Sequence, residues 1–215
     1  MVETALRAVD THTLILDAAR SRLLADGYGG LSTRRVAEEA GVPLSQLHYH
    51  FGSKQGLILA LLDEENQRRL ARQSKMYAED VPLWQRYERA CDFLEDDLDS
   101  GYVRVLQEMI AAGWSNEELG DAVRELVSGW FALLAEVARE AEYRYGPLAP
   151  FTAEEVSTLV GAAFIGAEAL LLLGFDRNVL PVRSALRRLG VMIRKLEEDQ
   201  IGPGRTDHAG MPADS

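Results

Sequence analysis

Residues 32–54 read STRRVAEEAGVPLSQLHYHFGSK, and their spacing decides the architecture. Ser32, a capping residue type, opens a helix through Val36, Ala37 and Ala40 that Gly41 ends. At about eight residues it is too short to persist alone and must pack on neighbours. Pro43 starts a second short helix, with Leu47 and Phe51 one turn apart, and Gly52 breaks it. Two short helices joined by a tight turn containing glycine form a helix-turn-helix. Ala37 is small enough to let the helices approach, Gly41 takes the turn, and Val42 and Leu47 plug the core beneath it.

The outer side of the second helix then shows Leu44, Ser45, Gln46, His48, Tyr49 and His50. That set suits DNA. Gln pairs with adenine edges, Ser with any base, and Leu touches the thymine methyl. Tyr and His reach phosphates as neutral donors. Arg34, Arg35 and Lys54 flank the helix and would clamp backbone phosphates. A metal pair at His48 and His50 is disfavoured, because residues i and i+2 do not share a helix face.

Outward from this stretch the periodicity is helical and strand alternation is nearly absent. Thr13 would cap a first helix ended by Gly27, with a loop at Gly29 and Gly30, and Ser53 would cap a helix over 54–77. Longer helices are expected over 83–99, 103–114 and 116–145. The run Gly146-Pro147-Leu148-Ala149-Pro150 is a break. Thr152 with Glu155 forms a capping box that opens a helix to about Leu173, and Pro181 opens the last, ending near Asp199. Residues 201–215, rich in Gly, Pro and Asp, read as a disordered tail.

The chain has 215 residues, 47% hydrophobic and 27% charged, which suffices for a core without staples. A single cysteine, Cys91, excludes an internal disulfide, and no Cys/His cluster has zinc spacing. No cofactor is expected. The N-terminus lacks the apolar run of a signal peptide, and the apolar stretch 159–175 holds three glycines and Glu168. The reading is therefore a cytoplasmic protein without a membrane span. Residues 1–55 carry six basic and six acidic side chains, so the remainder carries the whole net charge of −11. This asymmetry suggests two parts with different partners.

The segment 30–42, with Leu47-His48-Tyr49-His50-Phe51-Gly52-Ser53-Lys54 and the preceding Ile15-Leu16-Asp17-Ala18-Ala19, strongly resembles the TetR family of bacterial transcriptional regulators over about residues 12–62. The resemblance implies an all-α fold of about nine helices. A three-helix DNA-binding head (12–56) would precede a larger ligand-binding and dimerisation domain (57–200). It also implies that Thr33, Arg34, His50 and Lys54 contact phosphate or base near the groove edge, while Leu44, Ser45, Gln46 and Tyr49 face bases. Tyr is common in the family where this chain has His48, and a small polar residue where it has Pro43.

In the C-terminal part, Val156, Leu159, Val160, Ala163, Phe164, Ala167, Leu170 and Leu171 make a wide apolar face, with Gly161 and Gly166 allowing close approach. Val182, Leu186, Leu189, Ile193 and Leu196 make another on the last helix. Together they resemble the family's four-helix dimer interface, and an intramolecular core is the alternative. A pocket among the middle helices is expected to involve Phe93, Tyr102, Glu108, Met109, Trp114, Trp130, Phe131 and Glu168, with Leu106, Ile110 and Leu134. Glu108 and Glu168 are its candidate polar groups; Glu168 could equally be salt-bridged across the dimer. Glu95, Asp96, Asp97 and Asp99 read as a solvated face. No nucleophile–base pair, phosphate loop or metal set is visible, so no enzyme is expected. The expected protein is a homodimeric regulator, most often a repressor, that binds a palindromic operator on double-stranded DNA and leaves it when a small-molecule effector binds. The alternative is a helical small-molecule binding protein without operator-specific DNA binding.

Overall fold

Glycines and capping residues divide the chain where its helices end. The computed structural model describes residues 2–201 and contains nine helices and no strand among them. They are α1 (Val2–Gly30), α2 (Thr33–Glu39), α3 (Leu44–Phe51), α4 (Lys54–Tyr77), α5 (Leu83–Asp99), α6 (Tyr102–Gly113), α7 (Glu117–Tyr145), α8 (Ala153–Leu172) and α9 (Val182–Ile201). Side-chain caps hold three of the starts. Ser53 accepts from the Gly56 amide at 3.0 Å, and Asn116 from the Leu119 amide at 3.0 Å. Thr152 and Glu155 exchange the two bonds of a capping box.

Two expected boundaries move. α1 starts at Val2, so Thr13 lies inside the helix and is not its cap. Gly27, at φ 70° and ψ 174°, does break the helix, but one more turn forms beyond it, so Gly29 and Gly30 are helical and not a loop. Ser32 sits at the α2 N-cap without a side-chain capping bond. The expected tail lies beyond Ile201, outside the described residues.

The head is α1–α3 on the first turns of α4. Ile15, Leu23, Val36, Leu47, Leu57 and Ile58 are almost fully buried there. The same core continues into the body through Val105 and Met109 of α6 and Leu119 and Val123 of α7, so head and body are joined by packing as well as by chain. In the body, Tyr87, Cys91 and Leu94 of α5 pack with Phe164 and Ala167 of α8 and Leu186 of α9. Polar pins accompany that packing. Pro82 cannot cap α5, and the buried Glu197 of α9 supplies the acceptor, at 2.8 and 3.0 Å from the Leu83 and Trp84 amides. The buried Arg86 pairs with Glu140 at 3.0 Å and ties α5 to α7.

α8 has the length and apolar composition of a membrane span, yet it is capped and packed on α7. Its outward side leaves Leu159 and Leu173 exposed, beside Leu189, Met192 and Leu196 of α9. Gly166 faces open space on that side. Gly161, expected there too, instead packs against the Phe131 ring, where a Cβ would stand 2.3 Å from the ring.

Candidate nucleic-acid interface and effector cavity

Leu47 and Phe51 anchor α3 to the core, which turns its other side outward. Leu44, Ser45, Gln46, His48 and Tyr49 are exposed there, Tyr49 by 83%. Gly41, at φ 67°, turns the chain from α2 into this helix. The His48 Nδ1 lies 3.0 Å from the Gly52 carbonyl at the end of α3. His50 is half-buried, its ring 6.0 Å from that of His12 and beside Phe51. Thr33 is half-buried at the start of α2, and Arg34 is 82% exposed, 3.8 Å from Glu38. Arg35 and Lys54 have partners inside the head. Arg35 pairs with Asp26 at 3.1 Å. Lys54 donates to the Tyr28 carbonyl at 2.7 Å, at the C-terminal end of α1, with its ammonium over the Tyr28 ring; burial lowers its pKa. Helix carbonyls attract a cation, so Lys54 ties α4 to α1.

Behind this face, Gly27 breaks α1, and α6 fills the gap. A regular helix would close a bond from the Tyr28 amide to the Leu24 carbonyl. Here Tyr28 N–H donates to Glu108, Arg104 donates to the Leu24 carbonyl at 3.0 Å, and the two side chains pair at 3.0 Å.

Further along α6, Tyr102 and Leu106 line a cavity of about 70 Å³, room for several waters. Its walls come from α4 to α8. Trp130, Leu134 and Phe164 supply apolar surface, and Asn66, Arg69, Gln73, Asp97 and Glu168 the polar groups. Arg69 lies over the Tyr102 ring at 3.6 Å and bonds Asp97 at 3.1 Å. Glu168 accepts from Gln107 at 3.0 Å, and burial pushes its carboxyl up to about 7.

Residues 15–61 match the family described as bacterial regulatory proteins, tetR family. That segment is similar to the DNA-binding segment of the TetR family. A stretch of 59 residues is 39% identical to an uncharacterized HTH-type transcriptional regulator, YvkB, of Bacillus subtilis, covering 27% of this chain and 31% of that one. Another of 67 residues is 36% identical to the HTH-type transcriptional repressor AcnR of Corynebacterium efficiens, covering 31% and 36%. These matches thus span about a third of the length of the curated relatives. The fold is similar over nearly the whole of solved structures. A TetR transcription regulator from Haloarcula marismortui superposes with TM-score 0.72 at 20% identity, covering 87% of this chain and 97% of that one. FadR from Bacillus subtilis, in complex with stearoyl-CoA, does so with TM-score 0.66 at 16% identity, covering 86% and 96%.

Of the expected pocket residues, the body brings Tyr102, Trp130 and Glu168 to the cavity, with Leu106 and Leu134. Six others are placed elsewhere. Glu108 faces α1, Met109 is in the head–body core with Ile110 packed against it, and Phe131 packs on Gly161. Trp114 is 82% exposed at the end of α6, and Phe93 stacks under the Arg72 guanidinium at 4.0 Å. The cause is rotation about each helix axis, which aromatic identity alone does not report. Asp97 is not solvated either: it is buried between Arg69 and Arg72, and burial raises its pKa. The missed polar set had a signal. The α4 stripe of Ile58 and Leu62 runs on at steps of three and four through Asn66, Arg69, Gln73 and Tyr77, so polar groups on that stripe point inward.

Proposed function

We propose that the chain is a homodimeric, sequence-specific transcriptional regulator, a repressor that leaves a palindromic operator when a small molecule fills the central cavity. The observation that carries this reading is the outward side of α3, where Gln46 and its neighbours stand exposed on a helix anchored by Leu47 and Phe51. Such a helix enters the major groove. One helix reads few bases, and two-fold symmetry doubles the set across half-sites. The exposed apolar side of α8 and α9 supports that pairing. α6 supports a response to ligand, because Tyr102 and Leu106 meet the cavity while Arg104 and Glu108 hold the α1 break. A ligand acts only if it binds the two head arrangements unequally. As a cytoplasmic regulator, the protein would meet both partners in one compartment.

The test is selection of genomic DNA fragments by the purified protein at two salt concentrations. The expected result is enrichment of one palindrome, weakened by salt as phosphate contacts release counterions. No enrichment at either salt overturns the regulator reading in favour of a ligand-binding protein without an operator.

A further inference from the structure

The charges of the central cavity do not balance. Arg69 and Arg72 both bond Asp97, and Arg69 also pairs with Glu65 while lying over Tyr102. Arg69, the guanidinium on the cavity wall, is thus engaged on several sides; Arg72, whose buried Nε has no hydrogen-bond partner among the described residues, does not line the cavity. Glu168 has no cationic partner among the described residues. It accepts a hydrogen bond from the Gln107 amide at 3.0 Å, which also donates to the Ile165 carbonyl at 3.1 Å. A second acceptor is unfilled: the buried Oε1 of Gln73, on the cavity wall, has no hydrogen-bond partner among the described residues. Unpaired buried acceptors are costly and are relieved by a donor. The rest of the wall is apolar and aromatic, with Trp130 edge-on to Phe164 at 6.3 Å.

A cleft between α4 and α7 shares Asn66, Leu70 and Leu126 with the cavity wall. Asp63 and Glu125 stand in that cleft, and none of its lining residues is cationic. A mouth of one sign concentrates ligands of the other.

We propose that the cavity binds a small amphipathic cation, a short-chain alkylamine, whose ammonium pairs with Glu168 while its apolar part lies against Trp130 and Phe164. The amine enters between α4 and α7. This deepens the effector reading, and its test needs no DNA.

The test uses the full-length protein at about pH 8, where a simple alkylamine is protonated. Propylamine, propanol and propionate are of similar size and differ in charge, and calorimetric titration compares them. The expected result is that the amine binds roughly tenfold or more tighter than the alcohol, as a charge-assisted bond allows, and that the acid binds worst. In Glu168→Gln, shown to be folded by its thermal transition, the amine loses its advantage over the alcohol. Equal binding of the three, preference for the acid, binding of none, or an amine preference that survives Glu168→Gln each overturns the proposal. An amine preference in a protein that selects no operator supports this inference and overturns the regulator reading. Operator selection without an amine preference does the reverse.

Discussion

Arg104 and Glu108, one turn apart on α6, together replace a single backbone hydrogen bond that α1 lacks between Tyr28 and Leu24. Gly27 makes the gap, and an added Cβ at that residue would stand 3.3 Å from both side chains. The same helix reaches the cavity through Tyr102 and Leu106. A shift of α6 therefore changes how the end of α1 is held. Glu108→Ala is expected to destabilise the fold by about 1–2 kcal/mol through the lost acceptor. It is also expected to leave ligand affinity unchanged while weakening ligand-driven release of DNA. Thermal melts, calorimetry and DNA binding with and without ligand check the three parts. Unaltered release in this variant removes α6 from the coupling.

Lys54 caps the end of α1 through the Tyr28 carbonyl. Lys54→Ala is expected to lower stability by about 1 kcal/mol and to weaken all DNA sequences alike. The measurement is denaturant unfolding beside binding to operator and random DNA. A changed sequence preference would move Lys54 from an anchoring role to base reading.

Gln46 is exposed on the outer side of α3, with no contact to hold it away from a base. Gln46→Ala is expected to cost about 1–3 kcal/mol at one base-pair position, and to leave the salt slope unaltered. Comparison of selected sequences from wild type and variant checks this.

The exposed apolar side of α9 carries Leu189, Met192 and Leu196. Leu196→Glu places a charge there without touching the intramolecular core. Light scattering is expected to show a monomer, and affinity for a two-half-site operator is expected to drop by a factor of roughly 10³ or more, since specific binding needs both heads. A variant that remains dimeric places the interface elsewhere.

Glu168 sets a pH dependence. Burial raises its carboxyl from 4.5 to about 7. Folding therefore favours the protonated form: its contribution to stability is whole below about pH 4.5 and is lost as pH rises through about 7. Amine binding runs the other way, because a proton competes for the same oxygen. Affinity is expected to rise with pH up to about 7 and level off above it, and Glu168→Gln is expected to flatten both profiles. Gln107 bonds it and Asp97 pushes it further up, while Tyr102 and Arg69 line the same cavity without an ion pair to it. Titrations between about pH 5 and 8 decide this.

The head and the helix ends were legible because their causes are local. Gly41 and Gly52 turn the chain, Ser53 and Thr152 cap with their own side chains, and Leu47 with Phe51 repeats at helical spacing. Such signals need only neighbours a few residues away. The nine helices among the described residues, the α2–α3 turn and, apart from the half-buried His50, the outward set on α3 follow from the amino-acid sequence alone. What tertiary structure decided is the rotation of each helix and the partner of each charge. Lys54, Asp97 and Glu108 all looked free in sequence, and each is held by a group at least 25 positions away. Glu168 shows the opposite outcome: among the described residues no cation meets it, a fact visible only once α4, α6 and α8 enclose it. A buried charge is stabilised by whichever partner the packing brings near, and packing is a property of the whole chain.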